Sequence, residues 1–409
     1  MTIIKDIIIM QKRELDSVLK KKYIKRFIEM KNLKSNLIKV IIGPRRAGKS
    51  FLAIHIIDDL KEYGYVNFDD ERLVEVKEYD EIISALNIVY GKPKNLLFDE
   101  IQNLSKWELF VNRLQRQGYN IIITGSNSKL LSRELSTHLT GRHIPFHLYP
   151  LSFKEIIDKE LTTLEISEIL DKYLRLGGYP EPFVNDLDYR QYLSTLFDSI
   201  IYKDIVKRYR IRSPQIIEKM SSYLLSNISK EYSYNSIGKI MGFKSVKTVE
   251  KYINLLDESF VFFTLRKFSY KLKEQLSSNK KIYCIDNGFV HSKAFTTSPD
   301  FGKLMENLVA VELLRRGDEF YFWKGRDQNE VDFLIKKRNT VNSLIQVCYD
   351  LSDEKTRLRE MRSLLIAGEE LKCKNLILIN NSVEKVETFE WFGMRGRIKF
   401  VQLQKWLLE

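Results

Sequence analysis

"KVIIGPRRAGKS", residues 39 to 50, joins an apolar run of strand character to a turn bracketed by Gly43 and Gly48 and closed by Lys49-Ser50. Few side chains in that turn can pack, so its backbone N–H groups stay available. A helix starting at its end adds the positive pole of a dipole, and the combination suits phosphate oxygens. Gly43-Pro44-Arg45-Arg46-Ala47-Gly48-Lys49-Ser50 meets G-x-x-x-x-G-K-[ST] at every required position. Leu37 to Ile42 reads as a buried strand, and Ser50 to Leu60, with Phe51 first among its apolar residues, reads as a helix. That strand–loop–helix setting separates a P-loop from a chance turn of the same composition. The expected ligand is ATP or ADP, held by residues 43 to 51, with Lys49 neutralising the β- and γ-phosphates.

A P-loop needs a second strand that delivers a carboxylate to Mg²⁺. "KNLLFDEIQ", residues 94 to 102, is apolar until Asp99 and is followed at once by Glu100. Ser50 would ligate the ion directly, Asp99 would hold it through water, and Glu100 would polarise the attacking water. A paired acid at a strand end can also merely cap the next helix. A third strand, "YNIIITGSN" (119 to 127), ends in Ser126 and Asn127, either of which could sense the γ-phosphate. Within "STHLTGRHIPFHLYPLSF" (136 to 153), Arg142 precedes another strand and could reach a neighbouring subunit's nucleotide; Arg133 competes for that role. His138, His143 and His147 imitate a ligand cluster, but Pro145 breaks any helix through them, so no metal site is expected there.

These motifs resemble a family of prokaryotic and archaeal AAA+-type ATPases, in which a P-loop domain precedes a winged helix and a domain similar to restriction endonucleases. The resemblance is carried by "GPRRAGKS", "YVNFDDERL" (65 to 73), "LLFDEIQNLSKWELFVNRL" (96 to 114), "ITGSNSKLLSRELSTHLTGR" (123 to 142), "LYPLSFKEI" (148 to 156), "LGGYPEPF" (176 to 183) and "YKDIVKRYRI" (202 to 211). It implies an α/β fold with a parallel sheet of order 5-1-4-3-2, followed by a helical lid, a winged helix and a small α/β endonuclease-like domain. The boundaries read as 1–35 for a basic N-terminal helical segment, 36–155 for the ATPase core, 156–220 for the lid, 221–295 for the winged helix and 296–409 for the last domain. Gly177-Gly178 reads either as a plain helix stop or as a hinge between the ATPase and the domains C-terminal to it.

The whole chain sets the bounds. Its 409 residues leave room for two to four domains. No apolar run approaches the roughly 18 residues needed to span a bilayer, and the N-terminus lacks a secretory pattern. Three scattered cysteines, Cys284, Cys348 and Cys373, make neither a disulfide framework nor a zinc site, so a reducing cytoplasm is expected. The net charge of +13 is concentrated: residues 1–40 carry +7 and 201–285 carry +10, leaving −4 for the remainder. Such blocks attract polyanions, though lysine-rich surfaces also serve solubility.

The second basic block reads from Tyr234 to Phe268 as helix, turn, helix and strand. Val246, Val249, Ile253 and Leu256 fall in one helical sector; Lys244, Lys247, Thr248 and Lys251 fall opposite and could follow a phosphate backbone. "FVFFTLRKFSYKLKEQLSSNKKIYCID" (260 to 286) adds two strands around a basic tip, with Lys271, Lys273, Lys280 and Lys281 as backbone contacts. The stripe of Lys244, Lys247, Thr248 and Lys251 lacks Arg, Asn or Gln for bidentate base reading, so low sequence specificity is expected of any DNA binding. Winged helices also dock proteins. The N-terminal block, residues 12–34, has helical spacing with basic residues almost all round, as either a phosphate-contacting arm or a lead-in helix.

Residues 302–317, 331–335, 343–349 and 358–367 read as helix, strand, strand, helix, similar to the PD-(D/E)xK nuclease core. Asp332 matches the first acid of that core and Glu306 a supporting one. Gln346 and Cys348 stand at its second acid and lysine positions, and neither can supply the missing charge. A retained fold with impaired or absent cleavage is therefore expected, with Lys324, Arg326, Lys336, Lys337 and Arg338 available to a DNA or protein surface. The function expected overall is a Mg²⁺-dependent ATPase acting on DNA, with a homo-oligomer implied if Arg142 acts on a neighbour. The alternatives are an ATP-controlled nuclease and a nucleotide-switched scaffold or signalling protein with a protein partner.

Overall fold

A computed structural model describes the chain apart from residues 1, 29–32, 34, 75, 126–138, 140, 158–160, 186, 295–299, 326 and 328. It divides into two units: one holds residues 1–151, 180–186 and 258–260, the other 152–179, 187–257 and 261–409.

The first unit is built on five parallel strands, β1 (Ile38–Ile42), β2 (Tyr63–Asn67), β3 (Asn95–Asp99), β4 (Asn120–Gly125) and β5 (His143–His147), in the order β2-β3-β4-β1-β5. That is the expected 5-1-4-3-2 sheet. Successive residues face opposite sides of a sheet buried on both, so β1, β3 and β4 are mostly apolar, with Lys39 of β1 and Thr124 of β4 as interior polar exceptions. Val40, Ile42, Leu96, Phe98, Ile121 and Ile123 pack on one face, and Ile41, Leu97 and Ile122 on the other. Helix α2 (Lys49–Leu60) covers the second face through Leu52, Ile54 and Ile57. On the first face lie α3 (Tyr79–Tyr90) and α4 (Trp107–Arg116). Each fully buried Ile or Leu contributes about 1.5–3 kcal/mol.

The N-terminal helix α1 differs from expectation. It spans Thr2–Val18 and buries Ile4, Ile7, Ile8 and Leu15 in the core of this unit. Three of these four residues precede residue 12, where the basic spacing begins, and among the described residues no helix continues from Leu19 towards 34. Lys12 of α1 donates to the carbonyl of Val89 at 3.1 Å and stands 4.7 Å from the Tyr90 ring, so this part of the arm is used up in packing.

The second unit contains two sheets. The smaller, β6 (Glu231–Tyr232), β7 (Phe262–Arg266) and β8 (Lys280–Cys284), is ordered β6-β8-β7 and is accompanied by helices Pro214–Ser226, Tyr234–Met241 and Val246–Glu258. Val249, Ile253 and Leu256 are buried as expected, but Val246 is exposed because it opens the first turn of its helix. The tip between β7 and β8 is a short helix, Leu272–Ser277.

The larger sheet runs β13-β14-β12-β11-β10-β9, from β9 (Glu319–Lys324), β10 (Glu330–Lys337), β11 (Thr340–Val347), β12 (Leu376–Asn380), β13 (Lys385–Trp391) and β14 (Met394–Gln402). β9 to β11 pair antiparallel, while β11, β12 and β14 pair parallel. Helices Phe301–Arg316 and Glu354–Glu370 belong with it; the first is buried nearly all round and stops at Gly317, as its sequence predicts.

Candidate nucleotide site and the clusters beyond it

β1 delivers the chain to a loop that only glycine can begin. A Cβ on Gly43 would lie 1.8 Å from the carbonyl oxygen of Leu148, which follows β5. The loop ends at Gly48, left-handed at φ 94°, where α2 starts. Lys49 is buried and donates to the carbonyls of Gly43 (3.1 Å) and Pro44 (2.8 Å), folding its ammonium back over the loop. Arg45 and Ala47 are half-buried and buried; Arg46 is exposed and pairs with Glu181 at 3.8 Å. Phe51 is half-buried one residue beyond Ser50.

The end of β3 faces this loop. Ser50 donates to Asp99 at 2.9 Å, and Thr124 of β4 donates to the same carboxylate oxygen. Glu100, in the left-handed region at φ 50°, follows Asp99, receives a bond from Gln102, and its N–H is held by Thr124 Oγ1 at 3.1 Å. Burial, and then the charge of Glu100, push the Asp99 carboxyl up to about 6 against hydrogen bonds from Thr124 and Ser50 that lower it. Below that pH Asp99 carries its proton and cannot hold a cation. The apparent Mg²⁺ affinity of the nucleotide complex is therefore expected to fall about tenfold per pH unit below about 6 and to level off above it. Mg²⁺ titrations of turnover between about pH 5 and 8 check this.

A cavity of about 760 Å³ opens over these groups, lined by the loop, Asp99 and Glu100, by Asn67 and Asp69 after β2, and by Tyr23, Ile24 and Arg26 before β1. Pro180, Glu181, Val184 and Asn185 close another side. Several of these lay outside the sequence expectation. Arg26, nearly buried, donates to the carbonyls of Ala47 (2.8 Å) and Tyr149 (2.6 Å) and so ties the lead-in segment to the loop. Thr124 was signalled only by being a hydroxyl in a buried aliphatic strand. Ser126, Asn127, Arg133 and His138 lie outside the described residues. Arg142 has an exposed side chain that is not part of this cavity's lining, while its carbonyl accepts from the Ile38 N–H at 2.8 Å. His143 and His147 sit at the two ends of β5, and among the described residues no group of three or more acids, histidines and cysteines is placed to hold a metal ion.

Residues 35–157 match the family model described as an AAA domain, and 167–300 and 301–395 match two models each described as a domain of unknown function. An uncharacterized protein of Methanocaldococcus jannaschii is 36% identical over 419 residues, covering 96% of this chain and 93% of that one. The chain belongs to this protein's family. Its P-loop domain is of AAA type. A further relative of this AAA-type chain, an uncharacterized protein of Haemophilus influenzae, is 30% identical over 351 residues, covering 81% of this chain and 86% of that one. Among solved structures, C. elegans PCH-2 gives a TM-score of 0.23 at 14% identity, covering 62% of this chain and 66% of that one. Drosophila ORC bound to AT-rich DNA and Cdc6 gives 0.20 at 10%, covering 70% and 91%. Likeness at that level bears on neither fold nor function.

In the second unit of this AAA-type chain, Lys244, Lys247 and Lys251 are exposed and Thr248 is half-buried. Lys273 is exposed, and Lys271, also exposed, pairs with Glu274 at 3.3 Å. Two lysines of the expected basic stripe are turned elsewhere: Lys280 donates to the Tyr234 hydroxyl at 2.8 Å, and Lys281 is buried. The described residues include no helix long and apolar enough to cross a membrane.

Three of the four residues at the nuclease-like positions meet: Glu306 and Asp332 share the Lys281 ammonium, and Asp332 is bonded to Gln346. Glu306 accepts from the Tyr283 hydroxyl at 2.7 Å, and burial pushes its carboxyl up to about 8 despite the opposing charge of Lys281. Asp332 accepts from the Val347 N–H at 3.0 Å. Gln346 accepts from the Asp332 N–H at 3.3 Å and donates to Glu360 at 2.6 Å, which brings in an acid absent from the sequence expectation. Cys348 lies one residue past β11, with its thiol on the carbonyl of Asp350 at 3.1 Å.

Proposed function

We propose that the chain is a Mg²⁺-dependent ATPase whose hydrolysis cycle acts on DNA through the basic helix Val246–Glu258 in a winged-helix arrangement. The observation that carries the ATPase reading is the meeting of Lys49, Ser50, Asp99 and Glu100 at one end of a cavity that a glycine-dependent loop lines. A hydroxyl and a carboxylate 2.9 Å apart, with a second acid beside them, are hard oxygen donors of the kind Mg²⁺ takes. Bound there, Mg²⁺ would supply positive charge to the β- and γ-phosphate oxygens.

The chain's own groups do the remaining work. Lys49 exchanges its two loop carbonyls for phosphate oxygens, and the loop N–H groups share the charge. Glu100, held in position by Gln102 and Thr124, orients the attacking water and draws off its proton. Ser126 or Asn127 senses the γ-phosphate, and Arg142 serves a neighbouring subunit in a homo-oligomer.

The DNA reading rests on Lys247 and Lys251, one turn apart on the helix and exposed, with exposed Lys244 in the turn just before it. Duplex DNA is expected to raise turnover, and reversing Lys247 and Lys251 to Glu to weaken DNA binding about tenfold or more at low salt. ATP hydrolysis measured with and without DNA, alongside gel shifts, tests both. Turnover indifferent to DNA, with no shift at low salt, removes the DNA step and leaves the ATPase.

A second reading has its own observation. Tyr270, Leu272 and Leu276 are exposed together at the tip between β7 and β8, apolar surface that a protein partner, rather than a phosphate backbone, would cover. Under it the chain is a nucleotide-switched scaffold, and slow turnover unaffected by DNA would favour it.

A further inference from the structure

Lys281 is a cation placed where an exposed wing lysine was expected. Its strand explains the placement: β8 alternates, so Lys281 and Tyr283 point the same way. Both meet Glu306 of the helix Phe301–Arg316, at 3.0 Å for the ammonium and 2.7 Å for the hydroxyl. The ammonium also reaches Glu330 at 2.6 Å and Asp332 at 3.2 Å, both on β10. Its side chain is 3% exposed. An ammonium has three N–H donors, and here three carboxylates stand within ion-pair distance, two of them hydrogen-bonded.

The surrounding charges are matched as well. Glu330 has Lys324 at 3.9 Å, and Glu360, joined to the cluster through Gln346, has Arg359 at 2.6 Å. Glu306, Asp332 and a nearby glutamate would be the natural holders of a divalent cation in a nuclease of this topology, but the residues as they stand do not fit one. Two like charges cannot share the space, and the ammonium already satisfies the inward carboxylate oxygens.

We propose that Lys281 is the resident cation of this acid cluster: its ammonium takes the place of a divalent ion and fastens β8 of the small sheet to β10 and the helix Phe301–Arg316. The domain thus keeps its carboxylates without metal, and its role is adhesion between the two sheets of the second unit. The departure from a nuclease lies less in Gln346 and Cys348 than in this ion pairing. Removing the ammonium leaves buried carboxylates uncompensated, a strongly destabilising change that a divalent ion of suitable size can reverse.

The test is thermal unfolding and Mn²⁺ titration of the full chain, without nucleotide, for wild type, Asp332→Asn, Lys281→Ala and Lys281→Ala/Asp332→Asn. Wild type is expected to take up the same Mn²⁺ as Asp332→Asn and to show no Asp332-dependent change in Tm on adding it. Lys281→Ala is expected to melt lower by more than about 5 °C. Mn²⁺, and not NaCl of equal ionic strength, should recover most of that loss, with no recovery in the double variant. Should Lys281→Ala fail to fold, Lys281→Ala/Glu330→Gln, which buries one charge fewer, carries the same comparison. Asp332-dependent Mn²⁺ binding by wild type, or a folded alanine variant that ignores Mn²⁺, overturns the proposal.

Discussion

Glu100→Gln protein is expected to bind ATP as tightly as wild type and to hydrolyse it about a hundredfold or more slowly. The residue follows the buried end of β3, with its side chain held by Gln102 and its backbone N–H by Thr124, so the amide can occupy the same place with the same size. It cannot accept a proton from water. Removing a base while keeping the charge-neutralising lysine and the Ser50–Asp99 pair separates chemistry from binding. Lowered kcat with unchanged nucleotide affinity assigns the base. A loss of affinity of the same size would mean that Glu100 shapes the pocket instead.

Gly177→Ala is expected to destabilise the second unit by about 3 kcal/mol or more. Gly177 ends the helix Thr163–Leu176 at φ 75°, and a Cβ there would stand 1.7 Å from a carboxylate oxygen of Asp286. Asp286 cannot step aside, because its two oxygens accept from the N–H groups of Gly178 (2.7 Å) and Gly288 (2.8 Å). Burial pushes its carboxyl up to about 7, against those two bonds. Gly317 is the comparison: it also closes a helix, at φ 74° and ψ 24° in the left-handed helical region rather than at the ψ of −162° that Gly177 adopts, and a Cβ there meets nothing within 4 Å. The loss at Gly177 therefore combines the carboxylate clash with a backbone that favours glycine more strongly. Gly317→Ala should cost only the left-handed backbone, about 1 kcal/mol. Equal losses in denaturant unfolding would assign both to backbone strain and dismiss the clash.

The contrast between those two glycines shows what a sequence discloses. Both helix stops were legible, because a glycine after a periodic helix is a local signal; that one of them also makes room for a carboxylate 109 positions away was not. The nucleotide site divides the same way. The loop with Lys49 and Ser50 stands between the end of β1 and the start of α2, and Asp99 and Glu100 stand at the end of β3, so motif and strand pattern place them together without coordinates. Arg26 and Thr124 act through contacts that no spacing encodes. The Pro180–Val184 helix falls within the first unit although the chain has already passed through 28 residues of the second.

The basic segments show the opposite error, in which composition said too much. Lysines 271 and 281 count alike in a charge sum, yet one is exposed and the other is enclosed by three acids. In β8 the alternation did hold a signal, since a lysine two residues from a buried tyrosine takes an inward position. Its partners lie 25 to 51 residues further on, and only folding brings them there. Of residues 12–34, the stretch to Val18 does lie in a helix packed on the first unit, as the lead-in reading had it, but isoleucines upstream of it, together with Leu15, fix that helix.

The central claim is that the loop after β1 and the acids after β3 together hold and cleave ATP. Its most direct measurement is the equilibrium uptake of labelled ATP with Mg²⁺, followed by phosphate release, for wild type and Lys49→Ala. One ATP bound per wild-type chain and converted to ADP, with both properties lost in the variant, is the predicted result. A wild-type chain that takes up no ATP, or a Lys49→Ala chain that hydrolyses it undiminished, would contradict the account.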